Sequence, residues 1–201
     1  MNESLHIYRI KVSRFKERPK LDLDHPKYLE RTDFTKIVDI QEGELGLEEY
    51  EPLEFYTDDP GALEWDAFWP ALELGLISPR AKEIIQPFAD QYFIFLEASL
   101  NDNLYFVLIV NERLDCFDRE NSEFMTFADL ARKQNEDKAT IDANDELHIF
   151  RTEKYRFKKE LIPDPCMFSV PEINGEVFIT ESGKNAIEQA GLKGFEFLLL
   201  D

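Results

Sequence analysis

Cysteine, histidine and long apolar runs are all scarce in this chain, and each scarcity closes a class of explanation. Two cysteines, Cys116 and Cys166, are too few for a disulfide framework and stand in no C-x-x-C spacing, so both read as free thiols. The three histidines form no H-E-x-x-H pair, and no Walker loop, G-x-G-x-x-G or G-x-S-x-G occurs. No run approaches the roughly eighteen apolar residues of a membrane helix. The start, Met1-Asn2-Glu3-Ser4 followed by His6, Arg9 and Lys11, lacks the apolar segment of a signal peptide, which leads us to expect a cytoplasmic protein.

Basic residues are also missing where they would matter most. The chain has 23 Lys and Arg against 42 Asp and Glu, for a net charge of −19. Between Ile37 and Pro79 there is no Lys or Arg and there are twelve acids. Residues 1–36, by contrast, hold nine basic and six acidic side chains. That balance argues against nucleic acid, whose phosphates need the opposite sign, and against an anionic membrane surface.

What is present is enough for one good core. At 201 residues and 43% apolar content the chain reads as globular. Val177-Phe178-Ile179 reads as a strand that stops at Thr180, a helix N-cap, with Glu181 placed for the helix dipole. Ala186, Ile187 and Ala190 then share a helix face, Gly191 suits a left-handed cap, and Phe195 to Leu200 is a strand apolar on both faces, expected inside a sheet. The same order occurs earlier. Ser78 and Pro79 open a helix with Ala81, Ile84, Ile85 and Phe88 on one side, which Pro87 should limit to about two turns. Gln91 to Ala98 is a strand, Asn101-Asp102-Asn103 a hairpin turn, and Leu104 to Val110 the returning strand. Ile77, Ser78, Ile85, Phe93, Phe95 and Leu96 align with Ile179, Thr180, Ile187, Phe195, Phe197 and Leu198 at a constant offset of 102 residues.

Further strands are expected at Leu5–Val12, Thr35–Ile40, Glu146–Phe157 and Met167–Val170, with irregular chain over Leu21–Phe34, a weak helix at Met125–Lys133 and a polar loop at Gln134–Asn144. The class that results is α+β, a mostly antiparallel or mixed sheet of six to eight strands with two or three short helices. It divides into an N-terminal strand and acidic aromatic segment packed on the core, residues 1–74, and the core itself, residues 75–201.

The acidic stretch interleaves carboxylates with aromatics, and two readings stand side by side. It is a solvated loop whose aromatics dock it on the core, or a docking surface for a basic protein. On the second reading the contact residues are Glu42, Glu44, Glu48, Glu49, Tyr50, Glu51, Asp58, Asp59, Trp65 and Trp69. Catalytic candidates are few. Asp115, Asp118 and Glu120 match no cation-loop spacing, and Cys116 with His148 has no local nucleophile signature. We therefore expect no metal, no cofactor and no catalytic residue, the alternatives being an enzyme with an unrecognised site around Asp115, Cys116 and Asp118, or a general protein-binding scaffold. The cluster Arg151, Lys154, Arg156, Lys158 and Lys159 is expected to face solvent or the acidic stretch, with Phe150 and Phe157 inward.

From Leu74 to Asp201 the order of features resembles a family. The residues are Gly75-Leu76-Ile77-Ser78, Phe93 to Glu97, Leu104 to Val110, Asp115-Cys116-Phe117-Asp118 with Ser122, and Ile149-Phe150-Arg151. Val177-Phe178-Ile179-Thr180-Glu181 and Ala190-Gly191-Leu192-Lys193-Gly194-Phe195-Glu196-Phe197 complete the series. This order is similar to the immunity proteins of bacterial polymorphic toxin systems, once known only as a domain of unknown function. Thr180 stands where Ser is more usual, and residues 1–74 follow the family loosely. The resemblance implies a non-enzymatic protein that binds a cognate protein toxin and blocks it.

Overall fold

The computed structural model describes residues 5–11, 40, 46–57, 61–71, 74–133, 141 and 143–200. The first part of the chain supplies β1 (Ile7–Lys11), β2 (Leu53–Phe55) and β3 (Ala67–Ala71). Then come β4 (Leu74–Ile77), helix α1 (Pro79–Ala89), β5 (Phe93–Leu100) and β6 (Asn103–Val110). Strand β7 (Glu123–Thr126) runs into α2 (Phe127–Lys133), and a short α3 (Ala143–Leu147) precedes β8 (Ile149–Lys154). The chain closes with β9 (Met167–Val170), β10 (Ile173–Thr180), α4 (Glu181–Gln189) and β11 (Glu196–Leu200). The α+β expectation holds, but among the described residues the eleven strands fall into three sheets, ordered β2-β5-β6-β4-β3, β11-β1-β10-β9 and β7-β8. All named pairings are antiparallel except β2 with β5.

Both repeated stretches form the same device, a strand–helix–strand crossover split by a third strand. α1 joins β4 to β5, and β6 lies antiparallel between them. α4 joins β10 to β11, and β1 lies antiparallel between those. The likeness reaches side chains at the offset of 102. Lys82 in the first turns of α1 holds its ammonium 5.8 Å from the Phe95 ring and 3.8 Å from Phe106 on the inserted strand. Lys184 in α4 stands 5.7 Å from Phe197 and 5.1 Å from Tyr8, again on the inserted strand. The two helices pack against each other.

Local signals explain most boundaries. Ser78 Oγ accepts from Ala81 N at 3.1 Å, and Ala81, Ile85 and Phe88 make the buried side of α1. Pro87 removes one helical bond, yet α1 runs on to Ala89, because one lost bond does not outweigh the packing of that buried side. Thr180 caps α4 by position alone, since its Oγ1 accepts from Cys166 N at 3.0 Å. The far end closes as expected: Gly191 has φ 63°, its N–H donates to Glu188 O, and Leu192 N–H donates to Ile187 O, which satisfies the last carbonyls. Asn101 and Asp102 both take positive φ, giving a two-residue hairpin turn that leaves Asn103 paired with Leu100. Residues expected at the start of the weak helix belong to β7 instead. α2 is capped by Thr126, whose Oγ1 accepts from Asp129 N while Asp129 Oδ2 accepts from Thr126 N, a reciprocal cap.

Strand β11 departs from expectation: it is the edge of its sheet among the described strands. Its residues are only partly buried and Leu199 is 43% exposed. The interior place goes to β1, whose Ile7 and Ile10 are buried. Strand β6 does have two covered faces. Phe106, Leu108 and Val110 join the main core with α1 and the four-stranded sheet, while Tyr105, Val107 and Ile109 join a second core with Ile40, Leu53, Phe55 and Phe68. Of the early expectations, Leu21–Phe34 and Thr35–Ile40 lie outside the described residues apart from Ile40, which is helical and buried.

A buried carboxylate joins the two crossovers. Asp66 is 6% exposed. Its Oδ1 accepts from Ser78 Oγ at 2.9 Å, and Oδ2 accepts from Lys193 N at 2.9 Å and from Arg80 Nη1 at 3.4 Å. Its carbonyl accepts from Ser78 N, and Asp66 N and Ala67 N both donate to Lys193 O. Arg80 also donates to Ala190 O at the end of α4. Gly194, at φ 100°, lies so close that a Cβ there would stand 2.1 Å from the Ala67 carbonyl oxygen. Replacing Asp66 by Ala strands these donors and should cost about 2–4 kcal/mol. Gly194→Ala should lower the urea midpoint more than Gly191→Ala, whose nearest neighbour is Arg80 Nη2 at 3.9 Å. Equal midpoints for the two glycine variants would contradict the docked turn.

Candidate partner-binding surface

The acidic stretch is held from inside by the aromatics it carries. Residues 46–57 make a 3-10 turn over Leu47–Glu49 and then β2, parallel to β5. The Tyr50 hydroxyl donates to Glu97 O at 2.9 Å and accepts from Leu53 N at 3.3 Å. Phe55 and Phe68 are buried in the second core, and Tyr50 and Trp65 pack against it. The Tyr105 hydroxyl donates to Trp65 O at 3.1 Å, and burial, followed by the Asp66 charge, raises the pKa of that phenol. Asn101 fixes the end of β2, accepting from Thr57 N and donating to Thr57 O.

With Tyr50, Phe55, Trp65 and Phe68 packed inward, the stretch shows carboxylates to solvent. Glu48, Glu49, Glu51, Glu54 and Glu64 are exposed. The residues expected on a docking surface thus divide. Glu48, Glu49, Tyr50 and Glu51 sit together, and Trp65 ends the short 3-10 turn Ala62–Glu64. Glu42, Glu44, Asp58 and Asp59 lie outside the described residues, as does the side chain of Trp69. Among the described residues, the large apolar side chains exposed within the acidic field are leucines, Leu47 at 52% and Leu63 at 46%. A preference for aromatic anchors passes over them; their place beside Glu48 and Glu64, in a chain segment with no regular period, is the signal that could have found them.

Of the acidic catalytic candidates, Asp118 is taken up by its own turn. The Asp118 carboxylate accepts from Asn121 Nδ2 at 2.7 Å and from Asn121 N at 3.3 Å, and the side-chain bond holds its pKa below the usual carboxylate range. Asp115 and Glu120 are exposed. Among the described residues no three His, Cys, Asp or Glu side chains group as metal ligands. Cys116 is fully buried, and burial pushes its thiol up to about 12. Cys166 is raised to about 12 in the same way. Such thiols are the reverse of the exposed, easily ionised kind that attacks a substrate.

Two members of the basic cluster pair within their own ribbon. Arg151 reaches Glu153 at 3.6 Å, Lys154 reaches Glu123 at 3.4 Å, and Arg156 Nη1 donates to Tyr155 O. Phe157 turns inward as expected, its ring 5.2 Å from Phe178 and 6.0 Å from Phe168. Phe150 does not; it is 48% exposed and meets Phe127 edge-on at 5.4 Å.

The molecule is therefore an α+β chain that shows Glu48, Glu49, Glu51, Glu54 and Glu64 to solvent on a stretch packed against its second core. Among the described residues no helix is long and apolar enough to cross a membrane. The sequence profile of the Imm11 immunity protein family matches residues 8–199, and the chain belongs to that family. The match covers nearly the whole chain, including the front part where the resemblance seen in the sequence was loose. No curated protein matches it.

The thiols allow a direct check. Unfolded thiols ionise near pH 8.5 whereas the folded ones resist up to about 12, so the unfolded state sheds protons first and stability should fall across that window. At pH 8 both cysteines should stay unlabelled by iodoacetamide until urea unfolds the chain; rapid labelling of the native protein would refute their burial.

Proposed function

We propose that the chain protects bacteria by binding a cognate protein toxin in the cytoplasm, through its acidic surface and without a reaction of its own. The observation that carries this reading is the set of outward carboxylates Glu48, Glu49, Glu51, Glu54 and Glu64 on a stretch whose aromatics fix it to the second core. A surface held in place before contact loses little conformational freedom on binding. Family membership supports the immunity role. The sign of the charge favours a partner with a basic face, such as a nuclease that must hold phosphates.

Opposite charges steer an encounter, and salt screens that attraction over roughly 8–10 Å at physiological strength. With the toxin encoded beside this chain's gene, the association rate should fall about tenfold or more from low to high salt. Reversing Glu48, Glu49 and Glu54 to Lys should remove most of that dependence. A rate and affinity unchanged by salt would exclude the electrostatic mechanism while leaving the immunity role. Alanine at Asp115, Asp118 and Glu120 should leave protection intact in cells that express the toxin; loss of protection by a stably folded triple variant would favour a catalytic role for that turn.

A further inference from the structure

The five-stranded sheet is covered unevenly. One face is closed by the second core, which takes Tyr105, Val107 and Ile109 of β6. On the other face, Val110, Leu108 and Phe106 are at most 8% exposed, and Lys82 of α1 closes over the Phe106 ring. There the cover ends. Leu104 is next on that face, since successive side chains of a strand alternate, and it is 50% exposed.

The register names its neighbours. Leu104 is opposite Ser99 on β5, and Ser99 is beside Glu54 on β2. The adjoining row of the same face places Glu97 opposite Phe106. Glu54 and Glu97 are exposed, and so is Asp102 in the hairpin turn. A leucine is thus framed by carboxylates on backbone that the Asn101 bonds to Thr57 and the Asn101 N–H bond to Phe55 O hold still. The patch adjoins the acidic stretch, because the Tyr50 hydroxyl is bonded to the carbonyl of Glu97 itself. An apolar centre with a charged rim is the usual anatomy of a contact site, and the negative rim specifies the sign of what it meets.

We propose that the hairpin end of this sheet face is where the toxin docks, Leu104 entering an apolar hollow ringed by lysine or arginine side chains that meet Glu54 and Glu97. The proposal rests on the immunity reading and names its contact surface. The occupant is a basic protein surface: a strongly acidic chain repels a second copy of itself, and a nucleic acid is repelled outright.

Titration calorimetry with the toxin encoded beside this chain's gene tests the proposal. Leu104→Asp and the pair Glu54→Lys with Glu97→Lys should each weaken binding about tenfold or more, with unchanged melting temperature, since all three side chains are exposed. Leu161→Asp, at an equally exposed leucine in a different part of the chain, should change affinity less than about twofold. Wild-type affinity in both the Leu104 and the double variant, with the wild-type chain binding tightly, would overturn the docking face and spare the immunity reading. Failure of the wild-type chain to bind or to protect would overturn that reading, and the docking face with it.

Discussion

A buried carboxylate is costly unless each oxygen is met by a donor, and Asp66 is met on both sides. Ser78 and Arg80, from the start of α1, reach it from one crossover, while the main chain of Lys193, from the turn after α4, reaches it from the other. The same turn is pressed onto Ala67, and only a residue without a side chain can sit at position 194. That junction ties the start of α1 and the turn after α4 to the residue just before β3. One member of the acidic stretch has thus been drawn inside to tie the molecule together, while Glu48, Glu49, Glu51, Glu54 and Glu64 stay exposed.

The two crossovers were legible because their signals are local. A capping hydroxyl, an apolar helix stripe and a β-rich run recur at one offset, and each is read within a dozen residues. The strand inserted into each crossover was less legible. β6 follows β5 through a two-residue turn and could be placed by sequence, whereas β1 comes from the other end of the chain to lie between β10 and β11. Long-range pairing leaves no periodic trace, so the apolar pattern of β11 suggested an interior strand where the structure has an edge. The Thr126–Asp129 reciprocal cap was present in the letters but lay inside a weak apolar pattern, which extended the helix backwards over β7. For the candidate surface, the carboxylates were visible as a run of charge. The direction of Tyr50 and Trp65 was not, because an aromatic in an acidic stretch serves equally as an anchor inward or outward until the second core is known.

These features describe a chain whose acidic stretch is braced from within. The family match places it among immunity proteins. Hydrogen bonds from Tyr50, Tyr105 and Asn101 fix the acidic stretch before any partner arrives. Asp118 stabilises its own turn, and burial pushes the thiols of Cys116 and Cys166 up to about 12. In the ribbon β7-β8, Arg151 and Lys154 pair with Glu153 and Glu123.

Amide hydrogen exchange, measured on the chain alone and in complex with its toxin, addresses the central claim most directly. The account predicts slowed exchange over residues 46–57 and 97–104, with the Asp66–Lys193 junction slow in both states and the β7-β8 ribbon unchanged. Slowing confined to the ribbon, with residues 46–57 and 97–104 exchanging as in the free protein, would contradict it.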